Sequence, residues 1–299
     1  MPFPVTPRKR FFLALLALAS GLARAEVSVN DDAGALVRLS RPARRIVTLA
    51  PHLAETLFAA GAGDRLVGAV DFSDHPEGAA RVARVGGYSR IDLETVVALK
   101  PDLIVAWQSG NAPADIDKLR GLGFPVYLSQ PDRPEDIAGE IERLGRLAGT
   151  SPAADEAARD FRARLAGLKR RYGGRPVVRT FYEIWKQPLS TVGGRQIISS
   201  VIRLCGGENV FGRLGAIAPV VSVEAVVAAD PEAIIASGMG EARPDWLDDW
   251  KRWPAMTAVA RGNLFFVPPD LIQRHTPRLL DGAERLCRSL ETARSRRPK

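Results

Sequence analysis

The sequence predicts an α/β protein of two lobes, each with a mainly parallel sheet and flanking helices, joined by a single long bridging helix. Three observations carry that class. From Arg45 onward, short apolar β-rich runs alternate with helical segments, the pattern of βαβ units. Continuous helical periodicity then occupies the middle of the chain. Beyond it, one segment repeats an earlier one at an offset of 130 residues. The 299 residues, 46% hydrophobic and 25% charged, exclude a disordered or fibrous chain. The expected division is residues 1–25 as a leader, 26–132 as the N-terminal lobe, 133–175 as the helical bridge and 176–299 as the C-terminal lobe.

The elements follow in order. Ile46-Val47-Thr48-Leu49 is a short strand, His52 to Ala60 a helix ended by Gly61, and Leu66 to Val70 a second strand. Leu93 to Leu99 is helical until Lys100-Pro101-Asp102 stops it, and Leu103 to Trp107 is the third strand. Ala114 to Leu122 is a helix broken at Gly123, and Pro125 to Leu128 is the fourth strand. Pro134 to Ala148 and Pro152 to Tyr172 are the long helical stretches. In the second, Ala154, Ala157, Phe161, Leu165 and Leu168 recur at three- and four-residue spacing. A helix of that length spans about 30 Å, enough to pass from one lobe to the other. Strand-like runs resume at Val177-Val178 and Thr180-Phe181-Tyr182.

The repeat sets Ile91 to Ala106 above Val221 to Ala236. Glu94/Glu224, Val96/Val226, Val97/Val227, Ala98/Ala228, Pro101/Pro231, Ile104/Ile234 and Ala106/Ala236 are identical. Each copy reads as a helix, a proline–acid turn and a buried strand, so the lobes have similar builds. Ligands favour lobe interfaces and the carboxyl ends of parallel strands. The expected cleft therefore faces Trp107 on one side and the Ser237-Gly238 region on the other.

The net charge of +8 arises from 42 basic and 34 acidic residues. Arg8, Lys9, Arg10 and Arg24 lie in the first 25, leaving 38 basic residues against the same 34 acids, or +4. That excess is too diffuse for a nucleic-acid partner. Arg8-Lys9-Arg10, the apolar run from Phe11 and Ala23-Arg24-Ala25 have the order of a cleavable export signal, with cleavage after Ala25. The apolar run is too short to span a bilayer. No cysteine lies near the cleavage point, which excludes lipid attachment there. A periplasmic destination suits Cys205 and Cys287, the only two cysteines, as a structural disulfide.

Four segments carry a family resemblance: RIVTLAPHLAETLFAAG (Arg45 to Gly61), LETVVALKPDLIVAWQSGN (Leu93 to Asn111), LCGGENVF (Leu204 to Phe211) and DLIQRHTPR (Asp270 to Arg278). The chain resembles the periplasmic substrate-binding proteins with a helical backbone between lobes. These serve ABC importers of cobalamin, haem and iron–siderophores. The similarity runs from about Arg45 to Leu290. The Trp107-x-x-Gly110-Asn111 and Cys205-Gly206-Gly207-Glu208-Asn209 stretches resemble the cobalamin branch most.

The resemblance implies capture of a corrinoid between the lobes and its delivery to the permease dimer of an inner-membrane ABC importer, by a monomer with no cofactor of its own. A corrinoid is a broad ring fringed with amides, so its binder needs aromatic surface and a few donors. The matching positions are Phe72 and Tyr88, where the family has other aromatics, then Trp107, and Asp270, Leu271, Ile272, Gln273 and Arg274 in the C-lobe loop. Ser190 and Ala218 depart from the pattern by replacing aromatics, and Trp185 is the aromatic nearby that could compensate. Glu94 and Glu224 match the outward glutamates that dock each lobe on the permease. A charge match at the start of a helix is the simpler role for both.

Catalysis finds little support. His52, His75 and His275 share no metal-ligand spacing, and no nucleophile-elbow, P-loop or dinucleotide motif occurs. The alternative is haem or an iron–siderophore in the same importer class. There Tyr88, His75 or His275 would be the iron ligands, whereas Arg274 alone is thin for a siderophore.

Overall fold

The computed structural model describes Met1, residues 26–238 and residues 240–298; the export-signal reading lies outside the described residues. The first described elements are an antiparallel hairpin, β1 (Val27–Asn30) and β2 (Leu36–Leu39), which the sequence reading did not anticipate. Its inward residues Val29, Val37 and Leu39 are buried against the bridge.

The N-lobe contains β3 (Ile46–Thr48), α1 (Pro51–Ala59), β4 (Leu66–Ala69), β5 (Ala83–Arg84), α2 (Leu93–Ala98), β6 (Leu103–Trp107), α3 (Pro113–Gly121) and β7 (Val126–Ser129). Its five strands pair in parallel in the order β5-β4-β3-β6-β7. The bridge is a helical hairpin, α4 (Pro134–Ala148) and α5 (Ser151–Tyr172), turned at Gly149. The 22 residues of α5 extend about 33 Å. Arg162 bonds Glu142 and Lys169 bonds Glu135, so the two helices run antiparallel along most of their length. The C-lobe contains β8 (Val178–Glu183), α6 (Ile197–Leu204), β9 (Gly207–Asn209), α7 (Val223–Ala229), β10 (Ala233–Ala236), β11 (Leu264–Phe266) and α8 (Leu279–Ser295). Its four strands are parallel in the order β9-β8-β10-β11.

The repeat continues into three dimensions. Asp92 caps α2 by accepting from Thr95 N at 3.1 Å, and Ser222 caps α7 by accepting from Ala225 N at 3.1 Å. Lys100 and Asp230, 130 apart, both turn the chain with positive φ, 46° and 38°. Asp102 accepts from the Arg45 amide at 2.9 Å, and Glu232 accepts from the Arg179 amide at 3.2 Å. The same two arginines reach back to the end of the repeated helix, Arg45 to Leu99 O and Arg179 to Ala229 O. Each thus neutralises orphan carbonyls at a helix C-terminus.

The core joins the two lobes. One continuous apolar cluster runs from Ile46, Leu53 and Val105 through Ile137, Leu144, Phe161 and Leu165 to Tyr182, Ile198, Leu279 and Leu286. Two smaller clusters lie on the outer faces of the sheets, one around Val47, Ile104 and Leu119 and the other around Phe181, Ile234 and Trp250. Cys205 and Cys287 form a disulfide with Cα atoms 4.7 Å apart, stapling the end of α6 to α8. No described helix is long and apolar enough to cross a membrane.

Candidate functional site

A cleft opens where the carboxyl ends of the two sheets face each other. Trp107, Ser109, Gln130 and Asp132 line the N-lobe side, Gln196, Ile197, Ile217 and Ala218 the C-lobe side, and Gln273 and His275 the floor.

Local chemistry explains the Trp107-x-x-Gly110-Asn111 stretch. The Asn111 side chain accepts from Trp107 N at 2.6 Å and donates to Leu49 O at 2.8 Å and Tyr88 O at 2.7 Å. It therefore ties the ends of β3 and β6 to the Tyr88 loop. Gly110 lies directly against the Trp107 indole, and a Cβ there would fall 1.8 Å from a ring carbon. Only glycine lets the indole fold down over the turn. Tyr88 then stands 5.8 Å from Trp107 between ring centroids.

Beneath Trp107 the floor is aromatic but polar. The His52 ring lies 5.2 Å from Trp107 and 5.3 Å from His275. Buried Nε2 of His52, Nδ1 of His275, Nε1 of Trp107 and Nε2 of Gln273 find no hydrogen-bond partner among the described residues. Such groups are costly to bury without a partner. Burial pushes His275 down to about 4 and His52 well below the usual histidine range, so both rings are neutral near pH 7.

The C-lobe wall is built from backbone. Gly193 N donates to Ile217 O at 3.0 Å and Gly194 N to Leu214 O at 3.2 Å, strapping two loops together. A Cβ at Gly193 would lie 1.9 Å from Ala216 O, so the straps require glycine. Asn209, from the Cys205-to-Asn209 stretch, supports this wall by donating to Val192 O and the Ser199 hydroxyl, each at 2.8 Å.

The structure distributes the expected residues unevenly. Trp107, Gln273 and Ala218 line the cleft, Tyr88 flanks Trp107, and Phe72 stands exposed with φ 62°. Ile272 has no exposed surface; its side chain joins the shared core and backs the wall instead of facing it. Ser237 is likewise fully buried, bonded to the Tyr182 hydroxyl and to Val267 O. The C-lobe side of the cleft therefore comes from residues 195–198 and 217–218, and Ser237 does not line it because its hydroxyl is spent on bonds inside the sheet layer. Trp185 and Ser190 pair in a small hairpin beside the cleft, where the neighbouring Ile184 lines it. Asp270 and Arg274 pair at 3.0 Å, as the simpler reading allowed, but Arg274 also bonds Glu55 and Asp74 in the other lobe. Glu94 and Glu224 are exposed in the first turns of α2 and α7, with no ion pair among the described residues.

The sequence reading missed Glu55, His52 as floor, Gln130, Asp132 and the 195–198 wall. One available signal was Gly193-Gly194 ahead of Gln196, which caps α6 and turns its N-terminus to the cleft.

Comparison with known proteins fits this architecture. Residues 46–271 match the family model described as periplasmic binding protein. The vitamin B12-binding protein of Vibrio parahaemolyticus serotype O3:K6 (strain RIMD 2210633) is 37% identical over 265 residues, 88% of this chain and 94% of its own length. Among solved structures, the periplasmic vitamin B12 binding protein BtuF of Vibrio cholerae superposes with a TM-score of 0.79 at 37% identity, covering 85% of this chain and 98% of that one. The periplasmic heme-binding protein RhuT from Roseiflexus sp. RS-1 shares the fold, with a TM-score of 0.71 at 21% identity over 84% of this chain and 99% of that one. The chain belongs to the periplasmic binding protein family.

Proposed function

We propose that the chain captures cobalamin or a related corrinoid in the interlobe cleft and hands it to the permease dimer of an inner-membrane ABC importer, without catalysing a reaction. The supporting observation is the cleft itself. Trp107, Tyr88 and Phe72 offer ring faces on the N-lobe side, and the amide side chains of Gln130 and Gln273 line a cleft that suits an amide-fringed ligand. The relatives named for vitamin B12 point the same way. In this reading the mature protein is a periplasmic monomer released after Ala25, with no cofactor. Glu94 and Glu224, one at the same place on each lobe, meet the two-fold axis of a permease dimer.

Calorimetric titration of the mature protein with cyanocobalamin, and separately with haemin, tests the cargo. One-to-one binding of cyanocobalamin and silence toward haemin is the expected result. Haem is the second reading, favoured by the unpartnered His275 ring in the floor beside Trp107. Haemin binding that Tyr88→Phe or His275→Ala removes would establish it and overturn the corrinoid.

A further inference from the structure

Glu55 is a carboxylate on α1 of the N-lobe whose side chain is only 3% exposed. Among the described residues its side chain has two partners, Arg274 and Arg278, and both belong to the C-lobe. Arg278 grips it with two bonds, Nε to Oε2 at 2.8 Å and Nη2 to Oε1 at 2.7 Å. Arg274 Nη1 donates to Glu55 Oε1 at 2.7 Å and to Asp74 Oδ1 at 3.0 Å. Arg274 Nη2 reaches Phe72 O at 3.3 Å and Asp270 at 3.0 Å. The donors of Arg274 are thus engaged mostly across the lobe boundary, in the loop that carries Phe72. One turn before Glu55 lies His52, and next to Arg274 lies His275, with rings 5.3 Å apart. The same two segments therefore meet twice, once through rings and once through charge.

We propose that Glu55 is a positioning residue that clasps the two lobes. Through Arg274 and Arg278 it sets the separation of the cleft walls and holds the Phe72 loop at its rim before any ligand arrives. Two features argue for a clasp over an incidental surface pair. The carboxylate is buried, so its desolvation is offset only while both arginines stay in place. The grip of Arg278 is bidentate, which fixes direction as well as distance. Arg274 then serves the ligand by placing the wall, where the family resemblance implied a direct donor. This inference rests on the interlobe cleft being the binding site, although its first test needs no ligand.

The test uses spin labels on Lys118→Cys in the N-lobe and Ala255→Cys in the C-lobe, both exposed positions, with the distance distribution read by pulsed electron paramagnetic resonance. The parent protein should give one narrow distance. Glu55→Gln should broaden it in the ligand-free protein, with an unchanged circular dichroism spectrum, and should weaken cyanocobalamin binding at least tenfold. An unchanged narrow distribution in folded Glu55→Gln would overturn the clasp. Should that variant not fold, Arg278→Lys replaces it, since the Arg278 side chain is 24% exposed and the change keeps the charge while removing the two-bond grip on Glu55. It should broaden the same distance, and no change there would equally overturn the proposal. A parent that ignores cyanocobalamin yet broadens on losing Glu55 would keep the clasp and discard the corrinoid.

Discussion

The unit from Asp92 to Trp107 and the unit from Ser222 to Ser237 are the same device used twice, until their last residue. Both begin with a capped helix that carries an exposed glutamate in its first turn. Both turn through a left-handed residue before proline and enter a buried parallel strand. At the strand end they part. Trp107 emerges into the cleft on a turn built by Gly110 and Asn111. Ser237 stays buried, bonded to the Tyr182 hydroxyl and to Val267 O. The scaffold is thus duplicated and the site is not, because hydrogen bonding within a unit is local whereas the cleft is made by whatever loop follows it.

The largest effect should come from breaking what the units share. Reversing Glu94 and Glu224 together to Lys should abolish uptake in cells, and either reversal alone should reduce it at least tenfold. Affinity for the ligand should stay unchanged in all three, and an equal fall in affinity would remove docking as their role. Next in size is a feature of the C-lobe alone. Replacing Cys205 and Cys287 by Ser should lower stability by about 4–5 kcal/mol, the chain-entropy figure for a closed loop of this length, as measured by chemical denaturation.

Apart from Glu55, two buried glutamates, one on the bridge and one in the C-lobe, differ in their partners. Glu140 on α4 has neither carboxyl oxygen in good hydrogen-bond geometry, and burial pushes it up to about 8, partly offset by the Ser129 hydroxyl. Glu183 at the end of β8 accepts from Trp250 Nε1 at 2.7 Å, and burial raises it less, to about 7. A raised folded value means that the folded protein holds the proton more tightly than the unfolded chain. The stability is therefore fully present below about pH 4.5 and is lost as pH climbs toward 8. Glu140→Gln should relieve a penalty of up to roughly 4 kcal/mol at pH 8 and change little at pH 4.5. His275, pushed down to about 4, acts in the opposite sense and weakens the fold as pH falls from about 6.5 to 4. Thermal melts across pH 4–9 would show both limbs.

A finer comparison sets Asn111 against Asn209. Each side chain makes three hydrogen bonds, so truncation to Ala should cost about 3 kcal/mol in either lobe. Affinity should separate them. Loss of Asn111 frees Trp107 and Tyr88 directly and should weaken binding tenfold or more, while loss of Asn209 reaches the cleft only through the 190–199 loop. The smallest effect belongs to Arg45→Ala and Arg179→Ala, each below about 1 kcal/mol, because these exposed arginines cap carbonyls that water can also reach.

Much of the fold was legible because its signals are local. Leu103 to Trp107 is a strand over the residues expected, and the helices at 134–148 and 152–172 lie within a residue of their predicted limits. The hairpin at Val27–Leu39 was not legible, since its alternation is brief and its support comes from the bridge. Of the site, Trp107 and Gln273 could be placed by motif, and Ile272 could not. In the short helix Pro269–Ile272, the facing of each side chain depends on how that single turn docks against α8.

By itself the sequence determined the duplicated unit, its caps and turns, the bridging helix and the pairing of the only two cysteines. Each of these depends on residues within a turn or two of one another, or on there being no other partner to choose. Tertiary structure alone decided that Glu55 meets Arg274 and Arg278 across more than 200 residues, that the His52 and His275 rings meet, and that Ser237 is buried instead of lining the cleft. Those outcomes depend on the angle and distance at which two lobes pack on a common core, and no periodicity within either lobe encodes that relation.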